Sequence, residues 1–214
     1  MNDVTSLRTD YAKGALDEAD VAAAPHEQLA RWVDEAVAAA APEPNAMALT
    51  TVSAAGSPSS RIVLLRGLDA EGIVFYTNYE SRKGEELAAT GLAALLFFWP
   101  TLERQVRVEG VVSRVPAAVS EAYFRSRPRE SRIGAWASAQ SRPLATREEL
   151  ERRVAEVDAQ FPGEDVPLPP FWGGYRVTPT RFEFWQGRPS RLHDRLVYEL
   201  KTPGGAWELA RLMP

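Results

Sequence analysis

The segment FEFWQGRPSRLHDR, residues 182–195, sets Arg188, Arg191 and Arg195 around His193, one of two histidines in the chain. The formal net charge of the whole chain is −4, so this gathering of cations behind Trp185 is a local feature. Guanidinium, imidazole and indole together suit an anionic, aromatic ligand, because the cations meet its charge and the ring meets its face.

Three more polar clusters stand at the ends of apolar runs. RIVLLR is bracketed by Arg61 and Arg66, and two solvated strand ends explain it equally well. In FYTNYESRKG, Tyr76 and Thr77 close a strand while Ser81, Arg82 and Lys83 open a helix. Free N–H groups and the helix dipole favour an anion such as phosphate there. YFRSRPRESRIGAWASAQS carries Tyr123, Arg127, Arg129, Ser131 and Arg132, then Gln140 and Ser141. Hydroxyls interleaved with guanidinium groups suit a second phosphate, each charge-assisted bond contributing roughly 1.5–3 kcal/mol; a solvated helix face is the plainer alternative. Two phosphate-like sites beside aromatic strands describe a phosphorylated cofactor lying against a phosphorylated substrate.

Other chemistries lack their residues. The chain has no cysteine, which excludes disulfides, zinc–thiolate sites, iron–sulfur clusters and thiol catalysis. Neither the glycine-rich dinucleotide fingerprint nor a Walker A loop occurs. HEQLA, residues 26–30, lacks the second histidine of a zinc-protease helix, so His26 reads as a solvent-side residue and no metal site is expected. His193 and Asp194 have no nucleophile elbow to serve. An acidic balance argues against broad nucleic-acid binding. No apolar run fits a signal peptide or spans a bilayer, so the expected location is the cytoplasm.

The elements that must hold these residues follow from periodicity. Residues 1–24 read as a polar, partly flexible arm, and residues 25–214 as one domain. PHEQLARWVDEAVAAA opens with Pro25 and puts Leu29, Trp32, Val33, Ala36 and Val37 at helical spacing. AMALTTVS, SSRIVLLRGL and GIVFYTN, punctuated by AAGSP and DAEG, predict an antiparallel meander, with LAALLFFW a further strand. ERQVRVEGVVSRV buries Val106 and Val108 and turns Gln105, Arg107 and Glu109 outward. Helices are expected over 81–90 with Ser81 as N-cap, from Pro116, and from Thr146, whose capping box uses Glu149. GYRVTP, RFEFWQG, RLVYEL and AWELARL return to strands. The sum is an α+β protein, a small β-barrel with peripheral helices.

RIVLLR, FYTN, SRKG, TLERQVRVEG, YFRSRPRESRIGAWASAQS, VPLPPFWGGYRV, EFWQG and RLHDR together resemble the signature blocks of the pyridoxine/pyridoxamine 5′-phosphate oxidase family. The likeness runs in the family's order from LRTDYAKGAL to the terminal RLMP. It implies an antiparallel, Greek-key-like split β-barrel, homodimeric, with FMN in clefts between subunits. It implies oxidation of pyridoxamine or pyridoxine 5′-phosphate to pyridoxal 5′-phosphate, with O2 reduced to H2O2. By position, FMN would be held by Arg61, Ile62, Val63, Leu64, Leu65 and Arg66, by Tyr76, Thr77, Arg82, Lys83 and Gln105, by Gln140 and Ser141 from the partner's side, and by Trp185 and Arg195. Substrate would meet Arg8 and Tyr11 of the arm, Arg66, Tyr123, Arg127 and Ser131 at its phosphate, and Arg191, Leu192 and His193 at its ring, with Arg191 and His193 nearest the chemistry. Arg188 is left as a solvated turn residue. The family commonly has lysine where this chain has Arg66, which keeps the charge but widens and forks the cation. A non-catalytic flavin carrier, or a flavin reductase of another substrate, has no need of Tyr123, Arg127, Ser131, Arg191 and His193 together. A pyridoxal-phosphate-binding protein without redox function would leave Arg82 and Lys83 idle.

Overall fold

The computed structural model describes residues 10–202 and 204–214, so Arg8 lies outside the described residues. Among them are five α-helices: α1 (Pro25–Ala38), α2 (Arg82–Thr90), α3 (Ala117–Ser126), α4 (Arg129–Ala137) and α5 (Arg147–Gln160). Nine strands form one curled antiparallel sheet: β1 (Ala46–Val52), β2 (Pro58–Leu64), β3 (Gly67–Asp69), β4 (Gly72–Asn78), β5 (Leu92–Trp99), β6 (Arg104–Arg114), β7 (Trp172–Gln186), β8 (Asp194–Leu200) and β9 (Trp207–Arg211). The architecture is the expected α+β split barrel with peripheral helices.

The strand order is β2-β1-β5-β6-β7-β4-β3, with β8 on β7 and β9 on β8. This corrects the expected meander. β2 pairs with β1 and β3 pairs with β4, but β2 and β4 fall at opposite parts of the sheet. The run SSRIVLLRGL is long enough for two strands, and the chain breaks it at Leu65–Arg66. The Leu65 N–H donates to Asn45 O at 2.8 Å and the Arg66 N–H to Val74 O at 2.9 Å, so consecutive residues bond to different neighbours. Arg66 thereby stands at the split of the barrel.

A second correction concerns GYRVTP and RFEFWQG, which form the single 15-residue β7. One edge of β7 follows β6 over residues 175–186; the other serves β4 over residues 172–177 and β8 over residues 181–186. Pro179 is tolerated because the β6–β7 register shifts at Glu109/Gly110, a bulge that spares the missing donor.

Alternation fills the barrel. Leu49, Phe97, Val106, Val108, Phe184 and Leu196 point inward beneath Leu29, Trp32 and Ala36 of α1. Val37 departs from expectation and is 58% exposed. It sits about 100° beyond Ala36 around the helix, on the side facing away from the sheet. A second, smaller core joins Phe124, Ile133, Val166 and Trp172, tying α3 and α4 to the N-terminal end of β7. Thr146 caps α5 by accepting from the Glu149 N–H at 3.2 Å, but the Glu149 carboxylate takes Arg153 instead, so the capping box is half made.

Candidate active site

A cleft of about 640 Å³ opens between the split edge of the barrel and the α3–α4 corner. Edge strand β2 contributes Ile62, Val63 and Leu64, and the following loop Arg66; β4 contributes Tyr76, Thr77 and Asn78. Lys83 enters from α2, Tyr123, Arg127 and Ser131 from the helical corner, and Gln140 and Trp172 close the remaining sides. The FYTNYESRKG and YFRSRPRESRIGAWASAQS clusters thus meet the middle of RIVLLR.

One end of the cleft is built around Lys83. Ser81 caps α2, its hydroxyl accepting the Gly84 N–H at 3.3 Å, and this fixes the first turn. Lys83 Nζ then donates to Thr77 Oγ1 at 2.9 Å, Ser81 Oγ at 3.2 Å and Gln140 Oε1 at 2.8 Å. The side chain is buried, yet every acceptor is neutral. Burial, with Arg61 adding to it, pulls the ammonium down to about 8. A buried cation without a carboxylate is the complement of an anionic ligand. Gln140, expected from a partner, reaches Lys83 of its own chain, while the adjacent Ser141 does not line the cleft.

Arg61 and Arg82 do not line the cleft either. Both turn to Glu86, Arg82 Nε at 2.9 Å and Arg61 at 3.4 Å. Burial alone would raise the Glu86 carboxyl, but hydrogen bonds from Ser59, Thr51 and Arg82 outweigh it and bring it to about 2. Sequence reading missed Glu86, although its i,i+4 spacing from Arg82 was the available signal.

The other end is an aromatic wall with cations on it. Tyr76 stacks on Tyr123 at 3.9 Å and on Trp172 at 5.5 Å. Gly174 makes the stack possible, since a Cβ there would stand 2.9 Å from the Tyr76 ring. The Arg127 guanidinium lies 4.8 Å from the Trp172 centroid, and Arg66 lies 5.9 Å from that of Tyr123. One terminal nitrogen of Arg127 is buried with no hydrogen-bond partner. Burial lowers the Arg127 pKa; Tyr123 opposes that and Arg66 reinforces it. Arg129 and Arg132 of the same cluster turn away: Arg129 donates to Gly163 O and Phe161 O, and Arg132 to Glu164 O. They hold the loop over 161–164.

The FEFWQGRPSRLHDR cluster, residues 182–195, lies outside this cleft. Gln105, Trp185 and Arg195 sit opposite one another in register across β6, β7 and β8, forming one row on the outer face of the sheet. His193 lies 4.6 Å from Trp185, and Tyr11 meets both rings edge-on at 5.7 and 5.6 Å. His193 Nδ1 accepts the Arg188 N–H at 3.1 Å, which leaves the ring proton on Nε2. Burial pushes the His193 pKa down, Arg191 pushes it further, and Asp194 opposes them. Arg191 and Leu192 are exposed, and Ser190 and Arg191 both hold positive φ, of 59° and 62°. Arg188 is not a solvated turn residue: it donates to Gly14 O at 3.1 Å and lies 3.6 Å from Asp194, holding the arm.

A family model described as pyridoxamine 5′-phosphate oxidase matches residues 33–161, and one described as the pyridoxine 5′-phosphate oxidase C-terminal dimerisation region matches residues 172–214. The chain is 59% identical to pyridoxine/pyridoxamine 5′-phosphate oxidase of Cupriavidus taiwanensis over 214 residues, all of both chains. The chain belongs to the pyridoxamine 5′-phosphate oxidase family. The Bordetella pertussis protein of the same name is 61% identical over 211 residues, 99% of each chain. Among solved structures, PhzG from Burkholderia lata 383, in complex with tetrahydrophenazine-1-carboxylic acid, superposes with a TM-score of 0.87 at 34% identity, covering 94% of this chain and 98% of that one. An FMN-binding protein from Nostoc punctiforme shares the fold, with a TM-score of 0.67 at 16% identity over 88% of this chain and 95% of that one.

Membership of the pyridoxamine 5′-phosphate oxidase family makes this chain a flavoprotein oxidoreductase on a split barrel. The residues present fit a phosphorylated flavin, because the buried Lys83 lacks an anion and the edge strand β2 offers its unpaired side to the cleft. Among the described residues no helix is long and apolar enough to cross a membrane.

Proposed function

We propose that this protein oxidises pyridoxamine and pyridoxine 5′-phosphate to pyridoxal 5′-phosphate, with FMN as cofactor and O2 reduced to H2O2. The amine reaction also consumes water and releases ammonia. The observation that carries this reading is the pair of cationic ends in one cleft, Lys83 and Arg127, of which Arg127 keeps an unpartnered nitrogen. Two phosphate monoesters, one on the cofactor and one on the substrate, answer two such ends. The curated relatives at 59–61% identity carry the name of this activity, whereas PhzG stands at 34%. A phosphate-binding end also favours a phosphorylated substrate over a carboxylated phenazine.

Lys83, Thr77 and Gln140 would hold the FMN phosphate, with Arg61 and Arg82 released from or sharing Glu86, and residues 62–66 and Tyr76 along the cofactor. Bound flavin supplies the two-electron acceptor. Tyr123, Arg127, Ser131 and Arg66 would anchor the substrate phosphate and so fix where its ring can lie. Arg191 and His193 flank that ring. With its proton on Nε2, His193 donates a hydrogen bond to the substrate and is not the required base, since water can take the proton of an amine.

The reading includes a cytoplasmic homodimer in which residues 25–214 form the oxidase domain and the arm covers the site. The exposed Ile62, Leu92, Phe98 and Val111 share the outer sheet face with the Gln105–Trp185–Arg195 row. An apolar face of this kind calls for cover. A second copy would bring that row, Arg191 and His193 to the cleft of the first. The match to a dimerisation region supports this arrangement.

The test is a visible spectrum of the purified protein and oxygen uptake with each phosphate ester. Flavin absorbance with pyridoxal phosphate and H2O2 formed in equal amounts is expected. A protein that cannot be loaded with FMN, or a loaded one that makes no pyridoxal phosphate, overturns the proposal.

A further inference from the structure

The outer face of the sheet buries one carboxylate among three guanidinium groups. Glu183 of β7 is 2% exposed. Nε and one terminal nitrogen of Arg195 both lie 2.9 Å from Glu183 Oε1, while Arg107 and Arg181 stand 3.4 Å from Oε2. The three cations are not equivalent. Arg107 and Arg181 also lie 3.5 and 3.3 Å from Glu109. Arg195 pairs with Glu183 alone among the described residues, and its other terminal nitrogen donates to Met213 O at 2.8 Å. Two of the five N–H donors of the guanidinium are hydrogen-bonded, Nε–H to Glu183 and one terminal N–H to Met213 O, while the second terminal nitrogen is held by the ion pair.

Register explains what this achieves. Glu183 lies two residues before Trp185 and so on the same face, and Arg195 is the direct cross-strand partner of Trp185. Without an anchor, an arginine on a sheet surface samples many rotamers. With Nε and one terminal nitrogen both on one buried oxygen, and the other terminal nitrogen on a backbone carbonyl, the guanidinium plane is fixed beside the indole. A buried ion pair is weak as a source of stability, since hydrophobic replacements often serve as well. Its use here is orientation.

We infer that Glu183 is a positioning residue that holds the Arg195 guanidinium beside Trp185, its unbonded N–H groups directed at the flavin ring. The inference rests on the functional reading that places Arg195 at the flavin. Glu183 itself touches neither flavin nor substrate.

The test uses the FMN-loaded protein and the Glu183→Gln variant, with FMN dissociation constant, kcat and KM for pyridoxamine 5′-phosphate all measured. Glu183→Gln is expected to weaken FMN and to lower kcat by about tenfold each, with KM within about twofold of wild type, because the phosphate end of the cleft is untouched. Glu183→Asp should recover part of both losses. In the Arg195→Gln background, Glu183→Gln should add less than about a twofold further loss, since there is no guanidinium left to position. Should Glu183→Gln fail to fold, Arg195→Lys carries the test: it keeps the charge but has no planar fork, and the same flavin loss is expected. Wild-type values in Glu183→Gln, fully additive losses in the double variant, or wild-type flavin binding in Arg195→Lys overturn the inference. A wild-type protein that binds no FMN overturns the functional reading and this inference with it.

Discussion

The Lys83 ammonium lies 2.8 Å from Gln140 Oε1, joining the first turn of α2 to the segment after α4 through a buried cation with only neutral acceptors. Burial, with Arg61 adding to it, has brought that ammonium to about 8, so in the empty cleft it loses its proton just above neutrality. An anion bound there restores the charged form and takes up a proton as it binds. FMN affinity should therefore be flat below pH 8 and weaken above it, by up to about tenfold per pH unit. Lys83→Met should weaken FMN roughly 10–100-fold and remove the pH dependence. Fluorescence titration of FMN from pH 6.5 to 9.5 measures both. The same depression has the opposite sign for the empty protein. An unfolded lysine titrates near 10.4, so the Lys83 contribution to stability should rise from pH 8 to about 10.

Arg127 gives a prediction in which stability and activity part company. Its buried terminal nitrogen has no partner, so removing it costs the ligand-free protein little. Arg127→Gln should leave Tm unchanged or slightly raised. For pyridoxamine 5′-phosphate, losing one or two charge-assisted bonds at roughly 1.5–3 kcal/mol each should raise KM by about 10–100-fold or more, with kcat altered far less. Unphosphorylated pyridoxamine should show a much smaller change. Steady-state kinetics with both substrates, beside a thermal melt, make the comparison.

His193 predicts the acid limb of the rate profile. Burial and Arg191 hold its pKa below the usual histidine range, so the neutral ring persists at pH 7. Protonation at Nδ1 ends the bond from the Arg188 N–H that sets the ring, so kcat/KM should fall on the acid side with an inflexion below about 6.5. Removing the neighbouring positive charge with Arg191→Gln lets the ring keep its proton to higher pH, so the inflexion should move up, whatever the loss in rate. Asp194→Asn removes the opposing negative charge and should move it down. An inflexion that ignores both changes would assign the limb to another group.

What the sequence makes legible follows the range of the interactions. Ser81 as N-cap, Thr146 as N-cap and the alternation of Val106 and Val108 all depend on neighbours within a few residues, and all are found in place. The break of SSRIVLLRGL at Leu65–Arg66 is set by Asn45 and Val74, groups that no local pattern announces. The same holds for partners. Lys83 was identified by its place in a first helical turn, but its tie to Gln140 spans 57 positions. Arg188 looked free because its partners, Gly14 and Asp194, come from the arm and from a strand. Family resemblance gathers residues into one functional group without saying which of them one chain brings together. Arg127 and Lys83 share a cleft here, while Trp185, His193 and Arg195 stand on another face.

That separation gives the last prediction. Ile62 and Phe98 are 63% and 55% exposed on the outer sheet face, an unfavourable surface for a chain that stays alone in water. Fully burying such a side chain contributes about 1.5–3 kcal/mol, and a symmetric contact counts each residue twice. Phe98→Glu should therefore drive the protein towards monomer, with Ile62→Glu acting in the same direction. Neither residue belongs to the inner core, so the monomer should keep its far-UV circular dichroism. If the cleft of one copy is completed by Trp185, Arg191, His193 and Arg195 of another, FMN affinity and turnover should fall together with the dimer fraction. Both should return as protein concentration is raised. Sedimentation velocity and flavin titration over a concentration series supply the two curves, and the expectation is that they superimpose.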